Sequence, residues 1–223
     1  MPDHAPLSAP NPVNLVFPDT FDTQRLTLRA PRAGDGPAIN AAVVESSAEL
    51  RPWLPWADPV PTVAESEDFA CQSAVAFARR ERLALLVFLR GTDTLIGSSG
   101  FHHIDWSVPR LEIGYWLRTS CTGCGYMVEA VRAQVAFARD ALKACRVDLV
   151  ADDQNGPSCR VAERAGFTFD AILRHDRRDR AGVLRNTRIY SRIFTYDRSI
   201  ASPCLANADT PSARKPGLAL PGV

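Results

Sequence analysis

The stretch that decides the fold runs from Leu111 to Tyr126 and reads LEIGYWLR followed by TSCTGCGY. Apolar or aromatic side chains occupy every second position of its first half, and this alternation predicts a β-strand. Gly123 and Gly125 then allow a tight turn that leaves its N–H groups uncovered. A helix that begins directly behind such a turn directs free N–H groups and the positive end of its dipole outward. The stretch therefore predicts an anion site, most often one for phosphate.

Length and composition limit the class of protein. A chain of 223 residues is long enough for one sizeable core and is expected to form one domain. Its 46% hydrophobic and 23% charged residues are ordinary for a soluble protein, and a net charge of +1 gives no reason to expect nucleic acid as a partner. No apolar run reaches the roughly 18 residues that a membrane span needs. With no secretory signal in the N-terminal sequence, a cytoplasmic location is expected.

The composition of the two chain ends and the spacing of the cysteines each lead to a prediction. Prolines are spread through residues 1–19 and 199–223 with little periodicity, which predicts a disordered N-terminal arm and a disordered tail around a domain at 20–198. Six cysteines at irregular spacing indicate reduced thiols, since a chain this long does not need disulfides.

Hydrophobic periodicity predicts an alternation of strands and helices over this domain. Thr62 and Glu65 have the spacing of a capping box at the start of the second helix. A charged loop is expected at 174–186. Mixed strands with helices on both faces predict a three-layer α/β (α+β) domain. The predicted elements are strands at 25–29, 83–89, 94–101, 111–118, 146–151, 167–173 and 188–196, and helices at 35–45, 63–81, 125–143 and 156–165.

Several stretches, taken together in this order, resemble the GNAT acyl-CoA N-acetyltransferase superfamily. Within it, the sequence is most similar to the RimJ/RimL type of ribosomal-protein N-terminal acetyltransferase. The matching pieces span about residues 20–198 and are TQRLTLR (23–29), LRPWLPW (50–56), EIGYWL (112–117), GCGYMVEA (123–130), NGPSCRVAE (155–163) and AGF (165–167).

The resemblance implies a GNAT-like fold. Its sheet is expected to be mixed but mostly antiparallel, with about six to seven strands, and to splay between the strand at 110–118 and the strand at 147–151. The resemblance also implies acetyl-CoA as cosubstrate without a metal, and direct transfer of acetyl to an amine in a ternary complex. By family analogy, a homodimer is expected.

The resemblance assigns the parts of acetyl-CoA to parts of the chain. The pyrophosphate is expected on the backbone of the glycine turn, and the pantetheine arm is expected to fill the splay like an extra strand. Asn155 is expected to bond the amides of that arm, although Asn155-Gly156 also suits an ordinary turn. The cofactor-binding residues that the resemblance implies are Trp116, Leu117, Arg118, Gly123, Cys124, Gly125, Tyr126, Asn155 and Arg160.

The glycine turn departs from the superfamily pattern Gln/Arg-x-x-Gly-x-Gly/Ala at two places. Ser120 holds the first place, and Cys124 stands where Arg, Lys or Gln is common. Because binding there is mainly through backbone N–H groups, the site is expected to survive with lower affinity for CoA. Cys121 and Cys124 also have CxxC spacing at a helix N-terminus, which leaves a redox role open beside the simpler interpretation of small residues in a phosphate turn.

Amine acetylation needs a base for the amine and an acid for the leaving thiolate. The resemblance assigns the acid to Ser158, which as a simpler alternative is only a helix N-cap. The base is expected to be Glu112, whose partial burial in a strand can raise its pKa toward neutrality. The alternative is that Glu112 pairs with an arginine on a neighbouring strand. Asp176 and Asp179 are weaker candidates for the same role.

Two further pairs border the expected site. His102 and His103 follow a strand end, where they either border the acceptor site or lie exposed in a loop. Trp53 and Trp56 are either acceptor-side residues or core packing.

The acceptor itself is left open. The first expectation is the N-terminal amine of a protein, ribosomal or other. The second is a small amine such as an antibiotic, a polyamine or an amino-acid conjugate. A non-catalytic acyl-CoA-binding module is the third.

Overall fold

The structure is a computed structural model that describes residues 12 and 15–195. Two short 3-10 turns, Pro55–Ala57 and Thr119–Cys121, accompany the helices and strands. The elements follow in the order β1 (Thr20–Asp22), β2 (Leu26–Arg29), α1 (Gly36–Leu50), α2 (Val63–Ala78), β3 (Leu83–Leu89), β4 (Leu95–Asp105), β5 (Arg110–Leu117), α3 (Tyr126–Asp140), β6 (Arg146–Asp152), α4 (Gly156–Arg164), β7 (Thr168–Arg178) and β8 (Leu184–Ile193).

All the strands join one eight-stranded sheet in the order β1-β2-β3-β4-β5-β6-β8-β7. Every neighbouring pair is antiparallel except β5 and β6, which run parallel. The mixed, mostly antiparallel sheet predicted from the sequence is thereby confirmed. The count is one above the expected six to seven, because Thr20–Asp22 pairs with β2 as an additional edge strand. Three residues are too few for a period-two pattern to be recognised.

Helices cover both faces of the sheet. The larger core lies on the side of α3 and α4, and the smaller core lies on the side of α1 and α2. In β3, Leu85 and Val87 belong to the larger core, whereas Leu86 and Phe88 belong to the smaller one. A strand buried on both faces appears in the sequence as a continuous apolar run, as β3 does. The capping box at the start of α2 is present, with both of its hydrogen bonds formed.

The sheet splays where the family resemblance implied that it would. Strands β5 and β6 pair only from Arg110–Ile113 against Arg146–Leu149. Beyond these four pairs β5 continues to Leu117, still paired with β4, and β6 continues to Asp152, still paired with β8. The two strands therefore diverge from residue 114 onward and leave a cleft between the halves of the sheet.

The charged loop predicted at 174–186 is wrong. Most of it belongs to the hairpin of β7 and β8, and only residues 179–183 form the turn. Charged side chains at exposed positions along β7 hid the strand pattern, and the register shift between Leu173 and Arg177 interrupted its alternation. Helix α1 also extends beyond the predicted residue 45, to Leu50.

The start of the described chain packs on the domain. The ring of Phe17 makes edge contacts with Phe77 and Phe137 at centroid distances of 5.8 and 5.4 Å, and Arg80 donates a hydrogen bond to the carbonyl of Leu15. Of the arm predicted over 1–19, residues 1–11, 13 and 14 lie outside the described ones, as does the whole tail predicted at 199–223. The five cysteines that the structure describes are free thiols, and Cys204 lies outside it. None of the described helices is both long and apolar enough to cross a bilayer.

Candidate active site

The turn between β5 and α3 has the geometry of an anion site. Gly123 and Gly125 have φ angles of 76° and 78°, in the left-handed region that glycine adopts without strain. Gly125 is the N-cap of α3, and no side chain caps the helix there. Among the hydrogen bonds of the described residues, none uses the N–H groups of Gly123, Cys124 or Gly125. Free amides at the positive end of a helix dipole suit a phosphate.

An arginine that the sequence analysis did not single out as functional is held against this turn. Arg25 donates from Nε to Glu129 at 2.7 Å and from Nη1 to the carbonyl of Cys124 at 3.1 Å. Its guanidinium lies 4.6 Å from the centre of the Tyr126 ring. Thr23 donates to the other oxygen of Glu129 at 2.6 Å, so the carboxylate joins the first strands to α3. The positive charge of Arg25 thus lies beside the free amides.

The residues before the turn are tied to α1. The N–H of Ser120 and the guanidinium of Arg118 donate to the two oxygens of Glu45, at 3.1 and 2.6 Å. The N–H of Arg118 donates to the carbonyl of Ile96. Cys121 is half-buried and Cys124 is exposed. The side chain of Arg118 therefore faces α1, and a contact with a ligand in the cleft is left to its remaining main-chain groups.

The free edge of β5 presents alternate side chains to the two faces of the sheet. Tyr115 and Leu117 pack on the larger core, and Trp116 packs on the smaller core and makes an edge contact with Trp56 at 6.1 Å. The edge that faces β6 has no strand partner after Ile113. An extended chain with amide groups can bind such an edge.

The start of α4 forms the opposite wall. Asn155, not Ser158, is the N-cap, because its Oδ1 accepts a hydrogen bond from the N–H of Ser158 at 3.1 Å. The alternative role of Ser158 as N-cap is therefore wrong. The Nδ2 of Asn155 has no partner among the described residues. Arg160, which forms no ion pair with any described residue, reaches back to Gly156, where a Cβ would lie 3.1 Å from its Nη1.

Ser158 is joined to β5 by a hydrogen bond between its Oγ and the hydroxyl of Tyr115, at 2.9 Å. The same Tyr115 hydroxyl lies 3.2 Å from the Ser158 carbonyl. Burial raises the pKa of Tyr115 although its hydrogen bond to Ser158 acts in the opposite direction. The phenol is therefore neutral at physiological pH, and the pair places two hydroxyls at the cleft.

Glu112 is held by two histidines rather than by an arginine. His102 Nε2 lies 3.1 Å from its Oε1, and His103 Nδ1 lies 3.1 Å from its Oε2. Burial alone would raise the pKa of Glu112, but the hydrogen bonds with His102 and His103 outweigh burial and hold the pKa below its ordinary value. The expectation of a raised pKa is therefore wrong, and so is the alternative of an arginine partner. The sequence had singled out both histidines but not their shared partner.

The other two candidate carboxylates serve the β7–β8 hairpin. Asp176 accepts a hydrogen bond from the hydroxyl of Thr187 at 2.6 Å. Asp179 accepts from the N–H groups of Ala181 and Val183, both at 2.9 Å, and so closes the turn. Their hydrogen bonds account for both side chains as parts of the hairpin.

A cavity of about 1050 Å³ lies between α1, α2 and the sheet. Its floor includes Gly100 and Gly114, which face each other across β4 and β5. His102 and His103 line it, as do residues 114–116 of β5, where the cleft begins. Its walls combine aromatic with charged side chains, namely Trp56, Phe69, Trp116, Asp58, Glu65, Glu81 and Arg82.

These parts define a class of protein. A phosphate turn continues into an unpaired strand edge, and a carboxylate with two imidazoles lies at the far end of that strand, beside a cavity. This arrangement suits an extended, phosphate-bearing acyl donor on one side and an acceptor on the other. The fold and the site are those of an acyltransferase.

Comparison with known proteins gives the family. The family described as "Acetyltransferase (GNAT) domain" matches residues 25–168. This match covers more than half of the chain, and the chain belongs to that family. Among curated proteins, it is 26% identical over 156 residues to the uncharacterized N-acetyltransferase p20 of Bacillus licheniformis, which covers 70% of this chain and 86% of the relative.

Solved structures share the fold. One is the microcin C7 self-immunity acetyltransferase MccE in complex with acetyl-CoA and AMP, with a TM-score of 0.74, 22% identity, and coverage of 81% of this chain and 99% of that one. Another is RimL, the ribosomal L7/L12 α-N-protein acetyltransferase in complex with CoA, with a TM-score of 0.72, 24% identity, and coverage of 77% and 95%. The RimL-type resemblance of the sequence is thereby confirmed at the level of the fold.

Proposed function

We propose that this enzyme transfers the acetyl group of acetyl-CoA directly to an amine in a ternary complex, and that the acceptor is the N-terminal α-amine of a cytoplasmic protein, ribosomal or other. The observation that carries the proposal is the divergence of β5 from β6 after Ile113. It opens a cleft whose one end has the free amides of the glycine turn and whose other end has Glu112 and its histidines.

The donor is proposed to lie along this cleft. The pyrophosphate accepts hydrogen bonds from the amides of Gly123–Tyr126, close to the guanidinium of Arg25. The pantetheine arm pairs with the main chain of residues 114–118, and the free Nδ2 of Asn155 donates to one of its carbonyls. Arg160 supplies a further positive charge at the start of α4. No metal is needed for this binding, because the amides and arginines supply the positive potential.

The reaction has one bond formed and one broken. The neutral amine attacks the thioester carbon, a C–N bond forms, and the tetrahedral intermediate collapses with cleavage of the C–S bond. The proton of the amine is taken at the cluster formed by Glu112, His102 and His103, which we propose as the basic end of the site. The leaving thiolate takes a proton from the hydroxyl of Ser158, which the Tyr115 hydroxyl orients. The proton that the nitrogen loses as the amide forms restores the serine.

The acceptor is the least constrained part of the proposal. RimL is named for the α-amine of a ribosomal protein and MccE for microcin C7 self-immunity, so similarity of fold does not by itself select the acceptor. The aromatic walls of the cavity, with Trp56 against Trp116, favour a small amine with a flat apolar group as the second candidate. A binding module without turnover is the third.

The first test is binding of acetyl-CoA, read as a thermal shift. A ligand at 100 times its dissociation constant stabilises the folded state by about 2.7 kcal/mol. Turnover is then measured with hexapeptides that begin with Ser, Ala or Met, and with spermidine and phenylethylamine. Cys71 and Cys124 are exposed thiols that would compete with released CoA for a thiol reagent, so acetylated product is measured by mass spectrometry.

Each outcome selects one candidate. Product from the peptides, and none from their Nα-blocked forms, supports the proposal. Product from the small amines alone supports the second candidate. A thermal shift without any product supports the binding module, and absence of a shift contradicts all three. Glu112→Gln and Ser158→Ala are expected to lower turnover without abolishing the shift.

A further inference from the structure

We propose that the proton of the acceptor amine is taken by Nδ1 of His102, and that Glu112 acts through His102 as a positioning residue. This inference rests on the proposed function, because it names the atom that performs one of its steps. It changes the role of the carboxylate from base to support for a base.

The backbone brings both histidines to one carboxylate. In a regular strand, consecutive side chains point to opposite faces. His103 has a φ of 46°, in the left-handed region, and the register between β4 and β5 shifts between His102 and Asp105. Both rings therefore reach Glu112, and their centres lie 4.7 Å apart. A non-glycine residue held in this conformation costs free energy, and such residues concentrate at functional sites.

The hydrogen bonds to Glu112 define the tautomer of His102. An ionised carboxylate only accepts hydrogen bonds, and the lowered pKa of Glu112 keeps it ionised. The nitrogen of His102 that faces it, Nε2, must therefore carry the hydrogen. In a neutral imidazole the other nitrogen, Nδ1, then carries the lone pair. The same carboxylate stabilises the positive charge of the imidazolium that forms when Nδ1 gains a proton.

The ring of His102, with its Nδ1, lies beside Gly114 at the start of the cleft. A Cβ placed on Gly114 would lie 3.3 Å from Nδ1 of His102 and 2.8 Å from its Cε1. Gly114 is the first residue of β5 beyond the pairing with β6. Both His102 and Gly114 line the acceptor cavity, whereas Glu112 is not among the described residues that line it. Of the two side chains, His102 is therefore the one that borders the cavity proposed for the acceptor.

His102 is also the better base by its chemistry. Imidazole is the side chain that most often acts as a general base in enzymes. A carboxylate with a lowered pKa takes a proton from an amine less readily. His103 makes the matching bond to Glu112, but its side chain is 76% exposed, compared with 34% for His102. We assign to His103 only the support of Glu112.

The proton balance is simple. The ammonium form of the acceptor gives one proton to Nδ1 of His102, and the neutral amine attacks the thioester. The second proton, which the nitrogen loses as the amide forms, replaces the one that Ser158 gives to the leaving thiolate. His102 becomes an imidazolium paired with the Glu112 carboxylate. After the product leaves, the imidazolium returns its proton to water through the cavity.

The matched variants are His102→Gln and His103→Asn. Glutamine places an N–H where Nε2 of His102 lies, and asparagine places one where Nδ1 of His103 lies, so each keeps the bond to Glu112 and removes one imidazole. With saturating acetyl-CoA and the best acceptor of the panel, His102→Gln is expected to lower kcat about 100-fold. His103→Asn is expected to lower it less than tenfold. His175→Gln, which removes an exposed imidazole on β7, leaves it unchanged.

The pH dependence separates a base from a structural residue. The kcat of the parent protein is expected to rise with pH, and this limb is expected to be absent in His102→Gln. The other titratable or charged groups that face His102, or line its cavity, are His103, Glu112, Asp58, Glu65, Glu81, Arg82 and Tyr115. A His102→Gln enzyme that keeps the limb and most of its kcat overturns the assignment.

A second measurement does not depend on turnover. Nitrogen NMR of the imidazoles in the parent protein, with His102→Gln for assignment, is expected to show the hydrogen of His102 on Nε2. In Glu112→Gln, both tautomers are expected. A hydrogen on Nδ1 of His102 in the parent overturns the proposal even if the protein acetylates peptides. Absence of product with the parent contradicts the proposed function instead, so the two failures are distinguishable.

Discussion

The imidazole of His102 lies over Gly114, so closely that a Cβ on residue 114 would be 2.8 Å from its Cε1. The glycine is therefore required by its neighbour across the strands rather than by its own backbone angles. The contact joins β4 to β5 at the residue where the cleft begins.

Gly114→Ala is expected to displace the His102 ring and to lower kcat about tenfold or more, because small errors in the placement of a reacting group are costly. The affinity for acetyl-CoA, measured by calorimetry, should change little, because the glycine turn is untouched. The control is a double-mutant cycle with His102→Ala. If the collision is the cause, Gly114→Ala has little further effect once the ring is gone. Additive effects would contradict this explanation.

Tyr115→Phe removes the hydroxyl that lies 2.9 Å from Oγ of Ser158. We expect kcat to fall, by less than in Ser158→Ala, because the serine remains but is no longer oriented. The double variant should resemble Ser158→Ala alone, since the two hydroxyls act as one unit. Steady-state kinetics of the three variants test this. Full activity in Tyr115→Phe would exclude a role for the phenol in proton transfer.

Gly125→Ala tests the phosphate turn. Its φ of 78° costs a non-glycine residue about 1–2 kcal/mol, and no neighbour other than the Arg25 side chain lies within 4 Å of the added Cβ. We expect lower stability and at least a several-fold weaker binding of acetyl-CoA. Gly182→Ala is the matched control, because Gly182 has a φ of 80°, open space and a place in the distant β7–β8 turn. It should lose similar stability and keep its affinity.

Glu129→Gln tests the contact between the first strands and the turn. Burial would raise the pKa of Glu129, but hydrogen bonds from Thr23 and Arg25 outweigh it, and the pKa lies below the ordinary value of 4.5. The folded state thus favours the ionised form. Its contribution to stability is complete above the unfolded pKa and is lost as the pH falls through the folded pKa. We expect Glu129→Gln to cost about 1–2 kcal/mol at pH 7.

The measurement is urea unfolding of both proteins between pH 7 and pH 3. The difference in the free energy of unfolding should shrink as the pH approaches 3. A difference that is constant over this range would show that the charge of Glu129 is not the cause. Weaker binding of acetyl-CoA at pH 7 is expected as well, because Arg25 loses its partner beside the turn.

Periodicity and turn chemistry predicted most of the fold. The apolar run of β3, the capping box of Thr62 and Glu65 and the glycine turn are each visible in a few neighbouring residues. The edge strand β1 and the long β7–β8 hairpin were missed for opposite reasons. One is too short for a pattern, and the other has charged residues along exposed positions.

The site was less predictable, because its contacts join residues distant in the chain. The family resemblance identified Glu112, but its pKa is decided by histidines whose rings converge only through the left-handed backbone of His103 and a register shift. Likewise, nothing local relates Arg25 to Glu129, more than 100 positions away. Contacts of this kind follow from topology, which sequence patterns describe only coarsely.

The four residue pairs between β5 and β6 also determine how firmly the two halves of the sheet are joined. They are the only ladder between a five-stranded half, β1–β5, and a three-stranded half, β6–β8, in the described sheet. A donor lying in the cleft would add main-chain hydrogen bonds and so extend the contact between the two halves of the sheet. The resistance of the two halves to separation would then rise with the concentration of the acetyl donor. The lifetime of the folded chain in a cell would rise with it.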